Sequence, residues 1–345
     1  MVQAVLDLVQ IFVFPGVLFL LFYALLSEWL SRKFAARLQN RVGPLHTGWK
    51  GILQPLADII KLLAKEDITP SAADRIVFSL APILIFALPL AALLVIPIQS
   101  LVNLWSYDPV VSFEGDLIIV LFLMAIVILF VFLGGWSSSN RFGAVGGTRA
   151  ALQMLSYEIP LGLAAIGPAI FAGSLKISRI VDWQVRSFTS FVTAPSLSSI
   201  SDVLIVVGLP FTMIIGFGIF TICLLAELEM RPFDIPEAET EIVGGWQVEY
   251  SGKKLGLLIL GRDIRIVLAA ALLTSLFLGG AAGPWPVPPV IWFMVKTVAC
   301  VFILSNLSVL LARYRIDQML RGSWKFMVPL AIVQVMAVVS LMGLM

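Results

Sequence analysis

Eight times along the chain the sequence stays apolar for long enough to cross about 30 Å of hydrocarbon, at roughly 8–30, 76–98, 117–135, 150–173, 203–228, 264–283, 289–311 and 326–344. No other feature constrains the fold as strongly. Inside a bilayer there is no water to pair backbone groups, so each run has to satisfy its own hydrogen bonds as a helix. The expected fold is all-α and integral to the membrane: a bundle of about eight transmembrane helices forming one polytopic domain over residues 1–345. Composition agrees, with 60% hydrophobic and 13% charged residues. The first run lacks a basic leader and a small-residue cleavage site, so it reads as a retained span.

Charge placement orients the bundle. Residues 31–75 carry eight Lys or Arg, 136–149 two, 229–265 five and 312–325 four, which puts 19 of the 23 on one side. Lys176, Arg179 and Arg186 fall on the other side, and Lys296 lies inside a span. The positive-inside rule makes the 19-charge side cytoplasmic, with both termini outside the plasma membrane of a prokaryote.

Cysteine and histidine usage removes whole classes of chemistry. Cys223 and Cys300 are isolated in apolar runs, and His46 is the single histidine. No cluster of these residues exists to hold iron–sulfur, haem or zinc, so no metal and no bound cofactor are expected on this chain. There is also no glycine-rich phosphate loop, nucleophile elbow or internal repeat. A secondary transporter with a midplane site between repeats is therefore a poor fit.

Between the first two spans, 31–75 is basic and then amphipathic. "SRKFAARLQNRVGP" (31–44) ends in a Gly-Pro stop, and "TGWKGILQPLADIIKLLAKED" (47–67) has helical periodicity. Lys50, Gln54, Asp58, Lys61 and Lys65 make one narrow polar stripe on a mostly apolar cylinder, kinked by Pro55. Such a helix lies in the interface or against the bundle. Its charges are either solvated at the membrane surface or, for Asp58 with Lys61, set beside a polar cavity.

Carboxylates carry the chemical signal. Glu158 interrupts the run 150–173, and a charge near mid-membrane costs on the order of 2.5–3.5 kcal/mol. Two readings stand: a group facing a partner or a water path, or one snorkelling at the membrane edge. Pro160 leaves a backbone carbonyl unpaired nearby. Beyond the fifth span, "AELEMRPFDIPEAETEIVGGWQVEYSG" (226–252) sets Glu227, Glu229, Asp234, Glu237, Glu239, Glu241 and Glu249 around one arginine, Arg231. Pro232 ends the helix; Asp234 and Glu237 match a capping box for a new one, on which Glu237 and Glu241 share a face. Phe233, Ile235, Ile242, Val243 and Trp246 interleave the acids, which favours a packed segment over a solvated acidic loop at 226–262. Packed carboxylates with little counter-charge have perturbed, coupled titrations, a property that suits a proton conduit.

These stretches, with "LQNRVGP", "GILQPLADIIKLLAKEDITP", "GWSSSNRFGAVGGTRAALQMLSYEIPLGL" and "RYRIDQMLRGSWK", occur in the order seen in the H subunit of respiratory complex I, which the chain resembles from about Ser31 to the last span. The resemblance implies a membrane protein at the junction with a peripheral redox arm, coupling electron transfer to proton or sodium translocation. Asp58, Glu158, Glu227, Glu237, Glu239, Glu241 and Glu249 match the family's proton-path acids, with Glu229 and Asp234 beside them. The same resemblance places Arg37 and Arg41 in the basic segment associated with the mouth of the quinone chamber. Implied partners are peripheral subunits with an iron–sulfur cluster and a hydrogenase-large-subunit-like fold, small membrane subunits, antiporter-like subunits and membrane lipid, with no nucleic acid. Iron–sulfur clusters, and in some relatives nickel–iron, would belong to those partners.

Departures from the quinone-reducing pattern point to a branch. Ser31 replaces an acid, Leu45-His46 replaces an Asn-Arg-like pair, and the arginine before Pro-Phe-Asp is displaced to Arg231, leaving Met230 in its place. "LGRDIR" (260–265) is also unusual, and "FEGDLIIVLFL" (113–123) resembles membrane-bound hydrogenases and sulfur reductases. The expectation is that type, in which quinone is not the favoured acceptor. The alternatives are the quinone-chamber component of an ordinary NADH:quinone oxidoreductase and a passive anchor for the redox arm.

Overall fold

The computed structural model describes residues 8–99, 105–193 and 200–343, and the elements among them are helical. α1 (Val17–Leu38) follows a short helical stretch at 8–12. It runs past the expected boundary at residue 30, because 31–38 contain good helix formers and no breaker. A single 3-10 turn at Trp49–Gly51 precedes α2 (Gln54–Ala64). Two expectations fail here. Lys50, in left-handed backbone, and Lys65 lie outside the helix, so the stripe shrinks to Gln54, Asp58 and Lys61. Pro55 sits in the first turn, where a missing N–H costs nothing, and produces no kink.

α3 (Arg75–Leu93) starts on Asp74, whose carboxylate accepts from the N–H groups of Ile76 and Val77. α4 (Asp116–Ser137) and α5 (Arg141–Ala172) are joined by a tight turn, and Asn140 caps α5. α6 (Ile177–Thr193) is amphipathic and was not expected: Ile177, Ile180 and Val181 are buried while Arg179 and Arg186 face out. α7 (Ile200–Glu227) leads into the acidic loop, where α8 (Glu239–Ile242) is a single turn. α9 (Gly252–Phe277), α10 (Pro289–Leu310), α11 (Ile316–Gly322), a π turn at Ser323–Met327 and α12 (Val328–Met342) complete the bundle.

Among the described residues seven helices are long and apolar enough to cross a membrane, one fewer than expected. The missing one is the 264–283 run, which forms the second half of α9. Its apolar half is hydrophobic enough but carries three charges at its start, Arg262, Asp263 and Arg265, and residues 264–276 are all buried. Neighbouring helices rather than lipid surround α9, so it can carry charge that an outer helix could not.

The connections gather at two ends. At one, Asp74 N–H donates to Ser137 O at 3.0 Å, Lys254 Nζ to Thr69 at 2.6 Å and Tyr314 N–H to Pro232 O at 3.0 Å. At the other, Leu117 N–H donates to Leu175 O at 3.1 Å and Tyr107 to Asp182 at 2.7 Å. The segments rich in Lys and Arg thus share one end.

Candidate functional site

Most of the acids singled out in the sequence lie at that basic end, where α5, α7, α9 and the acidic loop meet. Glu227, the last residue of α7, is 2% exposed. Its Oε2 accepts from Tyr157 Oη–H at 2.5 Å. Its backbone carbonyl accepts from Arg265 Nη2, and that guanidinium lies 4.0 Å from Oε1. Glu227 and Arg265 face a narrow crevice whose other walls are Pro89, Met124, Val127, Leu228 and Leu268. Glu158 follows Tyr157 on α5 and is half-buried, where a charge is costly.

Glu229 leaves α7 in left-handed backbone and is buried, and its Oε1 has no hydrogen-bond partner among the described residues. Burial pushes its carboxyl up to about 7, against the pull of Arg265. Glu237 is raised for the same first reason, burial, with Arg262 and Arg265 opposing it; it accepts a hydrogen bond from Gln247. The expected capping box does not form. Helix α8 begins at Glu239, so Glu237 lies outside it and shares no helical face with Glu241. Asp234 instead takes a two-pronged bond from Arg313, Nε and Nη2 each at 2.6 Å, with Arg231 Nε at 3.5 Å. Glu241 pairs with Arg149 at 2.6 Å, Glu249 accepts from Asn140 at 2.5 Å, and Glu239 is exposed.

The loop is packed, as its apolar residues suggested. Phe233, Ile235, Ile242 and Trp246 are buried, although Val243 is 65% exposed. Gln153 of α5 fastens both ends of the turn, donating to Ala226 O at 2.7 Å and Phe233 O at 2.8 Å. The turn at 245–247 lies so close to α5 that a Cβ on Gly146 would come within 2.5 Å of Trp246 N.

A second polar group sits between α1, α2 and α9. Arg32 donates from Nε to Glu28 at 2.7 Å and from Nη1 to Asp58 at 2.7 Å, and Gln54 donates to Asp58 at 2.9 Å. For Asp58, burial works upward, but these bonds outweigh it and hold the carboxyl below its usual range. Asp58 thus pairs with Arg32 rather than with Lys61. Asp263 is 1% exposed and within electrostatic reach of Glu28, Arg32 and Asp58. Its neighbour Arg262 senses Glu28 on one side and Glu237 on the other, so α9 joins the two acidic groups. Arg37, near the end of α1, and Arg41, just beyond it, are both exposed, and Arg41 donates to Gln39.

Sequence reasoning missed Glu28, Arg32, Tyr157, Arg262, Asp263, Arg265 and Arg313. One signal was present: "LGRDIR" places three charges at the edge of an apolar run. Among the described residues no three His, Cys, Asp or Glu side chains converge in a way that could hold a metal ion.

Comparison with known proteins gives a consistent result. The family model described as NADH dehydrogenase matches residues 10–339. The NADH-quinone oxidoreductase H subunit 2 of Syntrophobacter fumaroxidans is 38% identical over 320 residues, 92% of this chain and 90% of that protein. The corresponding H subunit of Thermomicrobium roseum is 38% identical over 89% of this chain and 88% of its own length. H subunit 1 of Geobacter metallireducens is 37% identical, with 94% and 92% covered.

Proposed function

This chain belongs to the NADH dehydrogenase family, as a membrane component of the complex I H-subunit type in an oxidoreductase complex, and from that premise we propose that its buried acids relay protons or ions between redox arm and membrane arm. The observation that carries the reading is the run Glu158, Tyr157, Glu227 and Glu229, continued by Glu237. These groups sit in low dielectric with a donor–acceptor bond already made between Tyr157 and Glu227. A buried carboxyl near neutrality, as Glu229 is, can take up and release a proton without a large driving force. Arg265 and Arg262 lower the cost of ionising the acids without forming a close salt bridge that would lock them. Electron carriers, iron–sulfur clusters included, fall to partner subunits. The expected orientation, with the basic end cytoplasmic and both termini outside, would set the relay at the entry from the redox arm.

Glu158→Gln in the assembled complex tests this. It keeps the size of the side chain and removes the titratable proton. Redox-arm turnover with artificial carriers is expected to persist while ion translocation falls steeply. Normal gradient formation would reduce the chain to a passive anchor.

For the electron acceptor we propose quinone, the substrate in the relatives' names. Ser31 no longer argues against it: Glu28, one helical turn earlier, accepts from Ser31 Oγ and Arg32, so the acid is displaced rather than lost. A second reading, a soluble acceptor of the hydrogenase or sulfur-reductase type, rests on Arg231. That side chain is 59% exposed and directed to Asp234. Inhibitor-sensitive reduction of a short-chain quinone by the purified complex supports the first reading, and hydrogen or sulfide production without it supports the second.

A further inference from the structure

Pro160 has no N–H, so the carbonyl four residues earlier in α5, that of Ser156, loses its helical partner. In hydrocarbon such a group needs another donor. It has one in Ser323, whose hydroxyl donates to Ser156 O from a separate helix, both residues being buried. Ser323 opens the π turn between α11 and α12, and π turns inside helices frequently occur at functional sites. The bond lands one residue before Tyr157 and two before Glu158. The Ser156 hydroxyl in turn donates to Gln153 O at 2.7 Å, and Gln153 holds the acidic loop through Ala226 and Phe233. Just before α11, Arg313 grips Asp234 and Tyr314 N–H donates to Pro232 O. The segment from Arg313 to Ser323 is therefore tied to the acidic loop at one end and to the Tyr157–Glu158 turn at the other.

We propose that Ser323 is a positioning residue for the relay: by bonding the carbonyl that Pro160 leaves open, it fixes the α5 turn that presents Tyr157 to Glu227 and carries Glu158. This rests on the relay reading above. Ser323 exchanges no proton with the path; it sets where the groups that do so stand. A hydroxyl is the smallest donor that can reach the open carbonyl, and threonine keeps it while alanine does not.

The test uses the assembled complex in native membranes, measuring ions moved per electron alongside redox-arm turnover with an artificial acceptor. Ser323→Ala is expected to lower the ion-to-electron ratio about threefold, within the range one buried hydrogen bond sustains, with turnover retained. Ser323→Thr should restore the ratio. In a Pro160→Ala background the N–H of residue 160 returns to Ser156 O, so Ser323→Ala should then cost little. If Ser323→Ala alone fails to assemble, recovery of assembly and coupling in the double variant supports the proposal, and failure of both overturns it. An unchanged ratio in Ser323→Ala, or a loss equal in both backgrounds and not restored by threonine, also overturns it. Glu158→Gln and Tyr157→Phe separate the two levels. If these keep normal coupling, the relay reading falls and the proposal with it; if they lose coupling while Ser323→Ala does not, only the proposal falls.

Discussion

Glu229 offers the sharpest quantitative test. Its carboxyl is buried just beyond α7 and held at about 7 instead of 4.5. At alkaline pH the folded chain therefore holds an ionised Glu229 at a cost of about 3 kcal/mol relative to the unfolded chain. The sign follows directly. A carboxyl raised on folding contributes its full stabilisation below 4.5 and loses it as pH rises through 7. Glu229→Gln mimics the protonated acid at every pH. It should exceed the wild type by less than about 1 kcal/mol near pH 5 and by about 3 kcal/mol above pH 8, the latter on the order of 5 °C in thermal midpoint for a chain of this size. The assay is thermal unfolding of the detergent-extracted complex from about pH 5 to about pH 8.5, comparing the difference between the two proteins at each pH. Two parallel curves would refute the argument, because they would mean that Glu229 titrates no differently in the folded and unfolded chains.

Arg313→Lys replaces a two-pronged contact with a single one. Because Arg313 and Asp234 remain partly exposed, at 26% and 14%, the loss should be about 1 kcal/mol. It should appear as roughly fivefold faster hydrogen exchange confined to the acidic loop; unchanged protection would remove Arg313 as its clamp. Asp58 is held below its usual range, so it stabilises the fold above 3.8 and ceases to do so as pH falls through the folded value. Asp58→Asn should thus destabilise by a constant amount from about pH 5 upward, and a penalty that vanished near pH 7 would contradict the Arg32 pairing. For orientation, single cysteines at exposed Lys65 and Glu239 should resist an impermeant thiol reagent added to intact cells, while one at Trp285, 80% exposed, should react. The reverse pattern would invert the topology.

Helix type and the gathering of the basic segments at one end were legible because hydropathy and Lys/Arg placement are sums over many residues. The acidic loop was legible as a packed element because Phe233, Ile235, Ile242 and Trp246 alternate with its acids. Local rules then misled at Asp234 and Glu237. The spacing fits a capping box, but a bidentate arginine at position 313 competes for the carboxylate and wins, since a charged fork outweighs one backbone N–H. No local pattern links 234 to 313. Nor could the sequence show that α9 is surrounded by other helices. That placement lets Arg262, Asp263 and Arg265 remain beside an apolar run, and those three charges are what leave α9 out of the helices that look able to cross a membrane by composition.

The first polar group shows how a missing residue can be misread when compared position by position. Ser31 stands where quinone-reducing relatives usually carry an acid, which on sequence alone suggested a lost function. In the helix, residues three apart share a face. Glu28 therefore projects into the space next to Ser31, takes its hydroxyl at 3.2 Å, and neutralises the same Arg32 that holds Asp58. A carboxylate displaced by one turn with its arginine retained preserves the local charge balance. The displacement at Arg231 has no such compensation: the side chain turns outward to Asp234, which Arg313 already satisfies. Among the departures from the quinone-reducing pattern, Arg231 is the one whose side chain faces out from the loop, so the acceptor assay gains most from a variant there. Exchanging residues 230 and 231, as Met230→Arg with Arg231→Met, should raise quinone turnover if the arginine is a chamber ligand. It should leave quinone turnover unchanged if Arg231 serves only to balance Asp234.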